Sequence, residues 1–348
     1  MLRAGIFRAT RLIGCVAVCC MALAACGDTT TGDTGAASER TAGQPDPDAA
    51  SGTVPAAVQR LDIVGTEYSF AVEQHGSSAA AGEQGSPAAA GEHSSSASPA
   101  PLRAGWTRVS FHNRGREAHQ VMFAAPKDGV DLAELAAAAG GDSSGSAAIA
   151  YVDMLGGVSY VGPGQSVDAL VNLPEGIVLA MCYVPDAHGV AHALSGMTTM
   201  FDIGPAADAR PTESSERVVG AIDMSADGYL LPDRLTRGWY RVTNTDTRAT
   251  SAPAATGTGL HELAILGLNE PLKAGELEQL LDDLANNKTP AATLDALGGM
   301  GALSAGLTGY VWLDLKPGSY LGVDFMPDPG SPRPHLLDGY ATEFDVTK

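Results

Sequence analysis

Apolar and polar positions alternate in short runs along most of the chain, and Gly- and Pro-rich turns break the runs. "QSVDALVNLPEG" (165–176) and "TGYVWLDLKPG" (308–318) are the clearest cases. A period of two before a turn predicts half-buried strands. Two segments have helical spacing instead. "DLAELAAAA" (131–139) places Asp131 and Glu134 like a capping box, and "GELEQLLDDLA" (275–285) puts Leu277, Leu280, Leu281 and Leu284 on one helical face. The expected class is therefore all-β, with a helical insertion in each half.

The pattern also repeats. "GWTRVSFHN" (105–113) answers "GWYRVTNTD" (238–246), which matches Trp106 with Trp239. A histidine then opens an apolar run in each half, "HQVMFA" from His119 and "HELAILGL" from His261. The helical segment and the alternating segment follow in both. Both halves end alike, in "HALSGMTTMFDI" (192–203) and "HLLDGYATEFDV" (335–346). Five correspondences in one order predict a tandem duplication. Each unit is expected to be a Greek-key β-sandwich, the first over 57–204 and the second over 216–348. Residues 75–101 are an Ala/Gly/Ser-rich run inside the first unit and read as a disordered surface insertion.

The beginning of the chain changes the picture. Arg3, Arg8 and Arg11 precede an apolar run from Leu12 to Ala25, and Leu23-Ala24-Ala25-Cys26 follows the pattern of a bacterial lipobox. Residues 1–25 are expected to be a lipoprotein signal peptide, and Cys26 the residue that takes a diacylglycerol lipid. Residues 26–56 have almost no large apolar side chain and read as a disordered tether. The expectation is an extracytoplasmic protein held to a bacterial membrane by its lipid. The formal charge is −19, or about −22 once the three arginines leave with the signal. Such an acidic chain disfavours nucleic acid and suits a basic protein partner.

Signal removal and lipidation leave one free thiol, Cys182, in an oxidising compartment. A lone thiol there needs deep burial or a metal. "MCYVPDAHGVAHALSGM" (181–197) places it near His188, His192 and Met197, with His119 far upstream at the start of another strand. Thiolate, imidazole and thioether donors suit copper. "HNRGREAHQVMF" (112–123) resembles the plastocyanin segment that leads to the first histidine ligand. "CYVPDAHGVAHALSGM" (182–197) resembles the cupredoxin ligand loop, in the long form of the copper nitrite reductases. The resemblance implies two tandem cupredoxin-like sandwiches, with copper held in the first by His119, Cys182, His192 and Met197. His188 is a competing nitrogen. His192 is preferred because the second half keeps His335 at its place. Met181 stands where the nitrite reductases have a catalytic histidine, which argues against nitrite reduction.

The second half has Asp324 in place of the cysteine and Tyr340 in place of the methionine, but it keeps His261 and His335. It is either a degenerate copy kept for packing or a harder two-nitrogen, one-oxygen metal site at His261, Asp324 and His335. Glu117 and Glu262, beside the two histidines, read as solvated. "GGMGALSAG" (298–306) has no P-loop lysine, and no GxSxG elbow occurs. The expected function is single-electron transfer through copper, with His192 as the edge of exit, rather than catalysis. Two other readings stay open. One is a metal-free binding or scaffold module. The other is a copper storage or delivery protein that adds Met181 and Met200 to the ligands.

Overall fold

The computed structural model describes residues 52–76, 101–141, 143–206, 214–246, 259–292 and 294–347. The expected signal peptide, the expected lipidation site Cys26, most of the expected tether and nearly all of the 75–101 insertion lie outside these residues.

The first half contains β1 (Gln59–Thr66), β2 (Ser69–Gly76), β3 (Gly105–Asn113), β4 (His119–Pro126), β5 (Val152–Val161), β6 (Ser166–Leu173), β7 (Gly176–Met181) and β8 (Thr198–Ile203). The second contains β9 (Val218–Ser225), β10 (Gly228–Leu230), β11 (Gly238–Asn244), β12 (His261–Leu268), β13 (Leu294–Leu303), β14 (Thr308–Leu313), β15 (Gly318–Val323) and β16 (Ala341–Val346). The expected helices are α1 (Leu132–Ala139) and α2 (Glu276–Ala285), each between a half's fourth and fifth strands. Asp131 caps α1 by accepting from the Ala133 N–H. Only Leu135 of α1 and Leu280 of α2 are fully buried, so both helices lie on the surface of the sandwich.

The strands form two eight-stranded sheets, in the orders β10-β9-β11-β14-β6-β3-β1-β2 and β16-β15-β12-β13-β5-β4-β7-β8. Each half gives four strands to each sheet, and the chain crosses between sheets after its third, fifth and sixth strands. This is the expected all-β, Greek-key, tandem architecture. The sequence had left open whether the halves touch. They are joined edge to edge, by β14 on β6 and by β13 on β5. One apolar core runs through both, from Leu61, Phe111 and Phe123 to Tyr240, Leu263, Val311 and Val346. All described residues fall in a single compact unit.

Strand pairing within each half explains one of its glycines, Gly299 coming from the run that carried no phosphate motif. Gly157 on β5 and Gly299 on β13 occupy matching positions, each between two register shifts of its strand pair, at φ +133° and +124°. A Cβ on either would lie 2.1 Å or 2.0 Å from the Val121 or Leu263 carbonyl oxygen. A side chain there is excluded by contact as well as by conformation. On the outer face Trp239, Tyr310 and Leu170 pack with Trp106 and Trp312. Arg108 lies over Trp239 and pairs with both Asp168 and Glu216, tying the halves together again.

Two sequence expectations are corrected. Val54, assigned by composition to the tether, is buried in this outer cluster, and its N–H donates to the Glu216 carbonyl. The Trp106–Trp239 match is two residues out of register. Gly105 pairs with Leu173, whereas Gly238 pairs with Leu313, two residues short of the leucine that precedes the next Pro-Gly turn. The residue equivalent to Asn113 is therefore Asn244. Each donates its Nδ2 to a strand-end carbonyl, Val161 or Leu303, and each accepts from the N–H two residues on, Gly115 or Asp246.

Candidate functional site

His119 opens β4, Cys182 directly follows β7, and His192 starts a 3-10 turn over His192–Ser195. Met197 lies between that turn and β8. Strand pairing of β4 with β7 brings the first two together. The loop supplies the rest through its own hydrogen bonds. Asp186 accepts from the N–H groups of His188 and Val190, and the His192 N–H donates to the Val184 carbonyl. The Ala193 N–H donates to the Cys182 carbonyl, and the Met197 N–H to the His192 carbonyl. Gly196, at φ +112°, closes the turn and returns the chain to Met197.

All four predicted side chains are wholly buried at this pole. The two Nδ1 atoms of His119 and His192 are 3.1 Å apart, and Cys182 Sγ is 3.6 Å from His192 Nδ1. The three donor atoms lie within 4.8 Å of one another. Around one ion, metal–nitrogen distances of about 2.0 Å and metal–sulfur of about 2.3 Å give edges of roughly this length. Met197 packs in one apolar cluster with Cys182 and Val184, against Phe70 and Tyr160. The donor set thus fits a single soft or borderline ion without rearrangement of the loop. His188 is exposed and lies outside this group of donor atoms.

The surroundings hold the donors neutral. Burial pushes the Cys182 thiol up to about 12, opposed only in part by the Gln120 N–H, 3.5 Å from Sγ. Burial, then the neighbouring His192, lowers His119 to about 4, and burial lowers His192 as well. His119 Nε2 has no hydrogen-bond partner among the described residues, and a Cβ at Gly115 would sit 2.6 Å from it. His192 Nε2 lies 3.1 Å from Glu117 Oε2. The Tyr68 ring stands edge-on to His192 at 5.1 Å. The expected exit edge is therefore covered by Tyr68 and Glu117 rather than bare to solvent.

Other residues singled out in the sequence fall elsewhere. Met181 faces the α1 side of its sheet, in a separate cluster with Leu135 and Met154. Met200 on β8 is 59 % exposed. Neither joins the four donors. Glu117 is exposed as expected, but Glu262 is wholly buried. It accepts from the Ser159 hydroxyl and the Phe325 N–H, and burial followed by the Asp324 charge holds its carboxyl well above the usual range.

The equivalent pole of the second half also gathers its residues. Asp324 Oδ2 takes the place of the sulfur, 2.8 Å from His261 Nδ1 and 3.0 Å from His335 Nδ1. Burial works to lower His335, and Asp324 outweighs it and raises the imidazole. Tyr340, in place of the methionine, stacks on His261 at 4.1 Å. Asp246 was missed by sequence reasoning. It contacts His261 Nε2 at 3.0 Å from the position that Gly115 holds in the first half. The signal was present in "NTD" (244–246), an Asn followed two residues later by an acid, but the two-residue register error hid it.

No family model matches the chain, and no curated protein does. Similar solved structures include a dithionite-reduced auracyanin from Roseiflexus castenholzii. It is 16% identical, with a TM-score of 0.25, over 43% of this chain and 99% of that one. The blue copper oxidase of Nitrosomonas europaea is 13% identical, with a TM-score of 0.18, over 71% of this chain and 76% of that one. The copper nitrite reductase of Nitrosomonas europaea is 11% identical, with a TM-score of 0.18, over 83% of this chain and 93% of that one. Similarities of this size carry no argument about function, which rests on the donor atoms themselves.

Proposed function

We propose that the first half is a cupredoxin-like copper centre that carries single electrons. The observation behind this reading is the buried triangle of His119 Nδ1, Cys182 Sγ and His192 Nδ1, with the donor atoms inside 4.8 Å. Copper bound there would supply a one-electron couple between Cu(I) and Cu(II).

The chain's own residues do the rest. Strand ends and the loop hydrogen bonds hold the donors in place, so little rearrangement accompanies a change of charge. Val184, Phe70 and Tyr160 exclude water from the sulfur. The Gln120 N–H donates to Sγ and stabilises a thiolate there. Met197, packed beside the sulfur, would offer a thioether as a weak further donor. Electrons would pass to a partner by way of His192, behind Tyr68 and Glu117. The charges of Glu67, Glu117 and Asp186 all act on Tyr68. They favour a basic partner at this pole, in line with the acidic chain. Lipid attachment at Cys26 would hold the protein on the outer side of a membrane, near such partners.

Storage or delivery of copper is supported less well, because Met181 and Met200 stand apart from the donors. The test is redox cycling of the copper-loaded full chain with one-electron reagents. Reversible bleaching and return of a visible band over many cycles is the expected result. Copper that binds only as Cu(I), or is lost on oxidation, would favour delivery.

A further inference from the structure

We propose that His261, Asp324 and His335 form a second, redox-silent site for a borderline divalent cation of the Zn(II) class.

The three ligand atoms lie within 4.8 Å of one another, and all three residues are buried. Asp324 is fixed so that one oxygen serves both imidazoles. Its Oδ1 accepts from the Met326 N–H, and its Oδ2 faces both Nδ1 atoms. The far nitrogens are held as well. His261 Nε2 lies 3.0 Å from the wholly buried Asp246, and His335 Nε2 lies 3.4 Å from Asp328. Histidine ligands of zinc characteristically donate their other ring N–H to a carboxylate, which orients the ring and leaves the first nitrogen free to bind. Both imidazoles of this cluster have that arrangement. Among the described residues, neither imidazole of the first half has a buried carboxylate behind it.

The exchange of donors fixes the class of ion. Oxygen replaces the thiolate, and an aromatic ring replaces the thioether. Soft-metal preference is lost, and a nitrogen–oxygen set of the kind that holds zinc remains. Charge points the same way. Two wholly buried carboxylates, Asp246 and Asp324, face two imidazoles, so with neutral rings the buried cluster is negative. Buried charge of that sign calls for a cation.

The test is calorimetric titration of Zn(II) into the full chain carrying Cys182→Ser, which silences the sulfur site. Co(II) serves as a parallel optical probe. One tight Zn(II) equivalent is expected, and Co(II) should show weak ligand-field bands without a thiolate band. Adding Asp324→Asn should weaken binding by a hundredfold or more. Asp328→Asn, at a partly exposed position, should leave folding intact and weaken binding by about tenfold, as loss of a supporting carboxylate does. Circular dichroism confirms that each variant is folded. Absence of Zn(II) binding by Cys182→Ser, or unchanged affinity in Asp328→Asn, would overturn the proposal. Neither outcome bears on copper in the first half, which is read in the unmodified protein.

Discussion

At the scale of single residues, Cys182 and Asp324 show how one position redirects a site. A neutral buried thiol must lose its proton to bind a metal. With the thiol pushed up to about 12 and both imidazoles lowered by burial, only the sulfur has a proton to give up to a metal between about pH 7 and 9. Copper dissociation constants should therefore fall about tenfold for each unit of rising pH across that range. Competition titrations at fixed free copper check this, and an affinity independent of pH would remove the thiol from the ligand set. The donors were legible in the sequence because each is a chemically distinctive residue at a strand end or in one short loop. Glu262 was not legible, since its burial comes from the packing of the halves on each other, which no local pattern records. Asp246 was hidden for another reason. The Gly-Trp motif matches in letters but slides by two residues in the sheet, so a residue that reaches an imidazole was aligned with one that does not.

At the scale of elements, the alternating runs marked strands because one face of each is buried. Helical spacing marked α1 and α2 even though each buries one residue completely. The glycine run of β13 was read only for a phosphate motif, and the packing role of its Gly299, like that of Gly157 on β5, depends on a neighbouring strand that the sequence does not show. Gly157→Ala or Gly299→Ala forces a methyl group onto a backbone oxygen at a positive φ. Each should cost about 3 kcal/mol, combining overpacking with backbone strain. Gly129 also has positive φ, but nothing lies within 4 Å of its Cβ position, and Gly129→Ala should cost only about 1 kcal/mol. Urea midpoints compare the three, and equal losses would show that close approach to the paired strand adds nothing.

At the scale of the whole molecule, the repeat predicted two sandwiches, and the structure joins them through both sheets and one core. The edges that meet, β5, β6, β13 and β14, have no feature in the sequence that marks them as inner rather than outer strands. Because the halves share one core, urea should unfold them in a single transition, with tryptophan fluorescence and far-ultraviolet circular dichroism coinciding. Two separated transitions would mean that the seam contributes little. The acidic pole should also make association with a basic partner slow as salt rises. Everything functional rests on the donors of the first half binding one copper ion through sulfur. The most direct test is an optical titration of the full chain with Cu(II), repeated on Cys182→Ser. The account predicts an intense visible charge-transfer band that saturates at one copper per chain and is absent from the variant; no copper uptake, or uptake with the same spectrum in both proteins, would contradict it.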